Sequence, residues 1–124
     1  MTRVLVADDD LDIRELVAAK LELAGFDVVA LPDGREALAT LRAGDIDLAL
    51  LDISMAGATG IDVCRAVRAD AEIARLPLIL LSARAQESDV VAGLAAGAND
   101  YVIKPFSPRE LLERVRAALG KPSA

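Results

Sequence analysis

The segment Val4-Leu5-Val6-Ala7-Asp8-Asp9-Asp10 decides how this chain is read: four apolar residues without polar alternation, then three carboxylates. An apolar run of this kind fits a strand buried on both faces, the usual condition of a parallel sheet. Residues 28–31, 48–51, 78–81 and 101–103 repeat the pattern. Between these runs lie amphipathic stretches with helical spacing. Ile13, Leu16, Val17, Leu21 and Ala24 form one apolar stripe, closed by Gly25. Ala37, Leu38 and Leu41 mark a second helix that ends near Gly44. Ile61, Cys64, Val67 and Arg68 mark a third. Val90, Val91, Leu94 and Ala95 mark a fourth, ending at Gly97, and Gly93 inside it costs about 1 kcal/mol relative to Ala. Leu111, Leu112, Val115, Ala118 and Leu119 mark a fifth, opened by Ser107 as N-cap and Pro108 at the first turn.

Strands alternating with helices predict an α/β fold, a doubly wound five-stranded parallel sheet with five helices on its two faces. A chain of 124 residues suits one domain able to bury its own core. The hydrophobic fraction of 54% excludes a disordered chain. Fourteen basic against twenty acidic residues give a net charge of −6, which argues against a nucleic-acid surface on this domain. The absence of histidine removes His-based metal sites, Ser-His and Cys-His catalysis, and phosphohistidine chemistry within the chain. The single cysteine, Cys64, has no internal partner and suggests a reducing compartment. Acids arrive at Asp8 before any signal-peptide pattern, and no apolar run nears the ~20 residues that span a bilayer. A cytoplasmic domain without membrane or nucleic-acid contact is the expectation. Residues 1–120 form the domain and 121–124 a polar tail.

Open parallel sheets bind ligands beyond the carboxyl ends of their strands, where strand order reverses. The residues just past each strand are therefore informative. Asp8, Asp9 and Asp10 come after the first, Asp52 and then Ser54 after the third, Ser82 after the fourth, and Lys104-Pro105-Phe106 after the fifth. Crowded carboxylates repel unless a cation is present. Oxygen-only ligands favour a hard ion, Mg2+ or alternatively Mn2+, over zinc. Lys104 offers a point charge to a phosphoryl oxygen and Ser82 a neutral donor. An Asp carboxylate placed there can attack phosphorus and form an acyl phosphate. Each residue alone has a plainer reading. Three acids after a strand make a solvated turn with Asp10 as helix cap, a lone Asp or Ser is a loop residue, and a Lys before Pro is usually on the surface. Their joint occurrence at four strand ends favours a site.

Over nearly its whole length the chain resembles the receiver domain of two-component response regulators. The resemblance rests on the first segment quoted, on Leu50-Leu51-Asp52-Ile53-Ser54-Met55, on Leu80-Leu81-Ser82-Ala83, and on Gly97-Ala98-Asn99-Asp100-Tyr101-Val102-Ile103-Lys104-Pro105-Phe106. It implies the flavodoxin-like receiver fold with strand order 2-1-3-4-5. Asp52 then matches the phosphoacceptor, and Asp8 and Asp9 match the acidic pair that holds Mg2+ together with Asp52 and the Ser54 carbonyl. Ser82 matches the switch hydroxyl, Lys104 the phosphate-binding lysine before a cis Pro105 bond, and Tyr101 the aromatic switch. Phosphorylation would draw Ser82 toward the phosphoryl group and vacate space that Tyr101 can occupy, with the weakly anchored fourth helix responding. The resemblance implies a non-enzymatic switch acting only on its own Asp, fed by a histidine kinase or histidine phosphotransfer protein.

Ala56 stands where the family usually has proline, and Ser54 and Arg84 match positions on the rim of the site. The last helix resembles receivers attached to winged-helix domains, which often form homodimers through the fourth helix, fifth strand and fifth helix. Arg114 and Arg116 would supply the basic partners and Asp100 an acid. Ala95 and Asn99 stand where such receivers often carry acids, so the set is incomplete, and a solvated charged face is an equal reading. The residues after Leu119 carry no effector, as in a stand-alone receiver or one cut from a longer protein. Two other classes compete. Asp8-x-Asp10 also reads as the motif of haloacid-dehalogenase phosphohydrolases, which would leave Asp52 without a role. A flavin-binding flavodoxin would need a hydroxyl-rich phosphate loop and aromatic stackers, and here the loop is acidic.

Overall fold

Strand β1 (Arg3–Ala7) lies inside a five-stranded parallel sheet, between β2 (Asp27–Leu31) and β3 (Leu48–Asp52). Beyond β3 come β4 (Leu78–Ser82) and β5 (Asp100–Ile103), giving the order 2-1-3-4-5. The computed structural model describes residues 1–120, and the tail 121–124 lies outside the described residues. The strand order reverses between β1 and β3, which opens a crevice above their carboxyl ends. Strands β3 and β4 are buried throughout, as apolar runs covered on both faces must be.

Side-chain alternation sends the strands to two cores. Leu5, Ala7, Ala49, Leu51, Leu78, Leu80 and Tyr101 face α2 (Gly34–Ala43), α3 (Gly60–Ala69) and α4 (Glu87–Ala95). Val4, Val6, Leu48, Leu50, Ile79, Leu81 and Val102 face α1 (Leu11–Leu23) and α5 (Pro108–Leu119). Four helices start on a side-chain cap: Asp10 for α1, Asp33 for α2, a Thr59–Asp62 capping box for α3, and Ser107 before Pro108 for α5. Helix α4 is the exception, because Gln86 at its N-cap makes no side-chain bond. None of the helices is long and apolar enough to cross a membrane among the described residues.

Three apolar stripes differ from the sequence expectation. In α1, Val17 and Leu21 are buried while Leu16 is half exposed. In α3 the fully buried apolar residues are Val63, Cys64 and Val67, with Ile61 only partly covered. In α4, Val91 and Leu94 are 59% and 45% exposed, and Gly93 and Ala96 turn inward beside the partly buried Val90. The reason is distance. A Cβ on Gly93 would stand 2.9 Å from side-chain atoms of both Leu80 and Tyr101, so α4 lies too close to the sheet for a larger residue there.

Arg68 ties α3 to the edge of the sheet. Its guanidinium donates to the carbonyls of Gly97 (2.9 Å), Ala74 (3.0 Å) and Leu76 (2.6 Å), and to Asn99 Oδ1 (3.0 Å). The same Asn99 oxygen accepts the Leu78 N–H at 2.8 Å. Among the described residues no carboxylate shares the arrangement, and burial lowers the pKa of Arg68.

Candidate functional site

The carboxyl ends of β1, β3, β4 and β5 bring the expected residues together. Asp8 directly follows β1 and is fully buried, and its Oδ1 accepts the Asp10 N–H at 2.9 Å. Asp9 beside it is exposed. Asp52 is the last residue of β3; it is buried, and its Oδ1 accepts the Ser54 N–H at 3.3 Å. Lys104 crosses from the end of β5 to place Nζ 3.0 Å from Asp8 Oδ2 and 3.4 Å from Asp52 Oδ1. Its own N–H donates to the Ser82 carbonyl at 2.8 Å, and the Lys104–Pro105 peptide bond is cis. Asp10 caps α1 through the Asp12 and Ile13 N–H groups. Its Oδ1 thus serves as the helix cap, the plainer role the sequence offered for it.

Charge is in excess here. One carboxylate oxygen from each of Asp8, Asp9 and Asp52 lies within 4.8 Å of the other two, with one ammonium to offset them. Burial, and then the Asp8 charge, push the Asp52 carboxyl up to about 6, against the pull of Lys104 and the Ser54 N–H. Burial opposes the charge on Lys104, but the Asp8 and Asp52 carboxylates outweigh it and hold its pKa above the ordinary lysine value. A set of oxygen donors with uncompensated negative charge and one open side fits a hard divalent cation. Asp9, Ser54 and Arg84 line the open groove over this side. A second, apolar groove bordered by Ile13, Leu16, Ala83, Pro105 and Phe106 reaches Lys104 from the flank of α1.

Ser82 and Tyr101 are joined through one residue that the sequence did not single out as a link. Ser82 is buried at the end of β4, and its Oγ accepts the Arg84 N–H at 3.0 Å. Tyr101 is buried too, and its hydroxyl donates to the Arg84 carbonyl at 2.8 Å. The aromatic ring therefore already occupies an inward position while Ser82 holds the Arg84 amide. No sequence signal marks such a link, because both bonds run to a backbone that any residue supplies. On the outer face of α5, Arg114 pairs within the chain, with Asp100 at 2.7 Å and Glu110 at 3.2 Å. Asp100 and Arg114, expected as groups for a second copy, thus already partner each other.

The family model for the response regulator receiver domain matches residues 4–116. The chain belongs to that family, the receiver domains of two-component response regulators. It is 46% identical over 119 residues to the DNA-binding response regulator MtrA of Mycobacterium tuberculosis H37Rv, covering 96% of this chain and 51% of that protein. It is 48% identical over 120 residues to the transcriptional regulatory protein CseB of Streptomyces coelicolor, covering 97% of this chain and 50% of that protein. The chain thus spans about half the length of the curated relatives it matches. Among solved structures, the receiver domain of the Francisella response regulator 1452 superposes with a TM-score of 0.91 at 34% identity, covering 98% of each chain. Chemotaxis protein CheY4 of Vibrio cholerae superposes at 0.89, also at 34% identity, covering 96% of this chain and 99% of the other.

Proposed function

We propose that Asp52 is the phosphoacceptor of this receiver. The observation that carries the reading is the buried Asp52 carboxylate held beside Asp8 and 3.4 Å from the Lys104 ammonium. An Asp52 carboxylate oxygen attacks the phosphorus of a phosphohistidine on a partner kinase or phosphotransfer protein. The new O–P bond forms as the N–P bond breaks, and its electron pair returns to the donor imidazole. The partner must supply that histidine because this chain has none. Asp8, Asp9, Asp52 and the Ser54 carbonyl would hold Mg2+, or Mn2+ in its place. When bound, the cation offsets the carboxylates and draws charge from the phosphoryl oxygens. Lys104 moves from a carboxylate pair to a phosphoryl oxygen, and Ser82 offers its hydroxyl to another. The domain catalyses only the gain and loss of its own phosphoryl group.

The apolar groove beside Lys104 supports docking of the donor on the α1 side. A Ser82 drawn toward the phosphoryl group would release the Arg84 amide, and Tyr101 and α4 would carry the change outward to an output partner or domain. The exposed Val91, Leu94 and Ile103 support a homodimer through α4, β5 and α5. The domain acts in the cytoplasm, without nucleic-acid or membrane contact of its own. Incubation with Mg2+ and a small acyl phosphate should add one phosphoryl group to the intact mass. A gain that persists in Asp52→Asn would show another acceptor.

A further inference from the structure

Gly34 opens α2 against the segment that leaves Asp52. Its N–H donates to the Ala56 carbonyl at 3.2 Å. A Cβ on Gly34 would stand 1.9 Å from the Ala58 carbonyl oxygen and 2.8 Å from its carbonyl carbon. Both are backbone atoms, so no rotamer change could make room. Gly57 turns the chain inside this contact at a φ of +82°, and a Cβ there would lie 3.2 Å from Arg35 Cβ. At the other end the Gly60 N–H donates to the Ile53 carbonyl at 3.1 Å, and a Cβ on Gly60 would lie 2.6 Å from the Asp52 carbonyl oxygen. Residues 53–60 are thus seated between the start of α2 and the end of β3. Ile53 and Met55 anchor the start of the segment in the core, and beyond them Ala56 and Ala58 contribute no ring or branched side chain, so the seat against α2 sets that part of the path.

We propose that Gly34 is a positioning residue for the phosphoryl site: its missing side chain lets α2 seat residues 53–60, and the seated segment holds Ser54 beside Asp52. This rests on reading Asp52 as the phosphoacceptor. Gly34 touches neither the acceptor nor Lys104 and acts only through the segment. A methyl group at position 34 must lift the Ala58 carbonyl, and the displacement is passed toward Ser54.

The test compares Gly34→Ala with Gly44→Ala. Gly44 lies past the other end of α2 at a φ of +93° with open space around it, so its substitution strains the backbone without touching the segment. Three readouts are taken below both melting temperatures: amide exchange at residues 53–60, Mg2+ affinity, and the rate of phosphorylation by acetyl phosphate. Gly34→Ala should speed exchange in that segment, weaken Mg2+ binding, and slow phosphorylation about tenfold to a hundredfold, as a misplacement of about 1 Å does. Gly44→Ala should leave all three near wild type. Gly57→Ala, which crowds the same seat from the other side, should move them in the same direction and serves if Gly34→Ala does not fold. Wild-type values in Gly34→Ala, or equal losses in Gly34→Ala and Gly44→Ala, overturn the proposal. Absence of phosphorylation in the wild type would instead refute Asp52 as acceptor, with exchange and Mg2+ affinity still deciding whether Gly34 sets the segment.

Discussion

The Tyr101 hydroxyl donates to the Arg84 carbonyl at 2.8 Å, so the ring on β5 is held by the connection that leads into α4. That connection carries few other constraints, since residues 83–86 are exposed and α4 starts without a side-chain cap. Tyr101→Phe removes one hydrogen bond and leaves a carbonyl that water can reach. It should cost about 0.5–1.5 kcal/mol in chemical denaturation and speed amide exchange at 83–86. Unchanged exchange there would mean that the bond does not hold the connection.

Asp52→Asn should stabilise the metal-free domain at neutral pH. The folded carboxyl sits at about 6 against an ordinary 3.8, so its contribution is full below about 4 and is lost as pH rises through 6. In chelator, the wild type should fall behind Asp52→Asn by about 1–3 kcal/mol between pH 4 and 7. Parallel stability profiles for the two proteins would contradict the charge crowding.

Lys104→Met keeps most of the unbranched side chain, one atom shorter, and removes its charge. Asp8 and Asp52 then face each other without compensation, so the Asp52 titration should move further up. Stability in chelator at pH 7 should drop by roughly 1–3 kcal/mol, with recovery on acidification. Titration of the Asp52 carboxyl by NMR checks the direction, and a downward move would refute it.

Arg68→Leu should destabilise by about 2–3 kcal/mol, because it strips partners from the carbonyls of Ala74, Leu76 and Gly97 together. Arg68→Lys should recover only part of this, since an ammonium cannot reproduce the planar fork. Full recovery by lysine would show that charge, not geometry, is what the site needs.

Gly93→Ala tests which of two effects wins in α4. Helix propensity favours alanine by about 1 kcal/mol, but the new methyl meets Leu80 and the Tyr101 ring at 2.9 Å. The contact should win and displace the ring. Tyr101 is the only tyrosine and there is no tryptophan, so its fluorescence reports the event directly. Greater access of a soluble quencher is expected, and a protected ring with raised stability would count against close packing.

The sheet was legible because apolar runs and the residues after them obey period and position alone. All five strands fall where unalternated runs sit, and the acids and Lys104 lie at their carboxyl ends. Helix faces were harder. Hydropathy picks Val91 and Leu94 as inward in α4, but the approach of α4 to Leu80 and Tyr101 admits only small residues, so Gly93 and Ala96 face the core instead. The roles of Arg68 and Arg84 could not be read, since Arg68 mostly engages backbone carbonyls and Arg84 acts through its own backbone. Gly34 is likewise an ordinary helix-start glycine until the Ala58 carbonyl is placed against it.

Asp8 and Lys104 are 96 residues apart along the chain and 3.0 Å apart in space. On a ribosome the first acid emerges early, and β1, β2 and β3 can assemble while β4 and β5 are still being made. The lysine follows the edge strand β5, after the loop-closure entropy of the preceding four strands has been met. A nascent or truncated chain can therefore present its acids without the counter-charge that completes them. Competence to take a phosphoryl group is in this sense a certificate that the sheet has closed through its fifth strand.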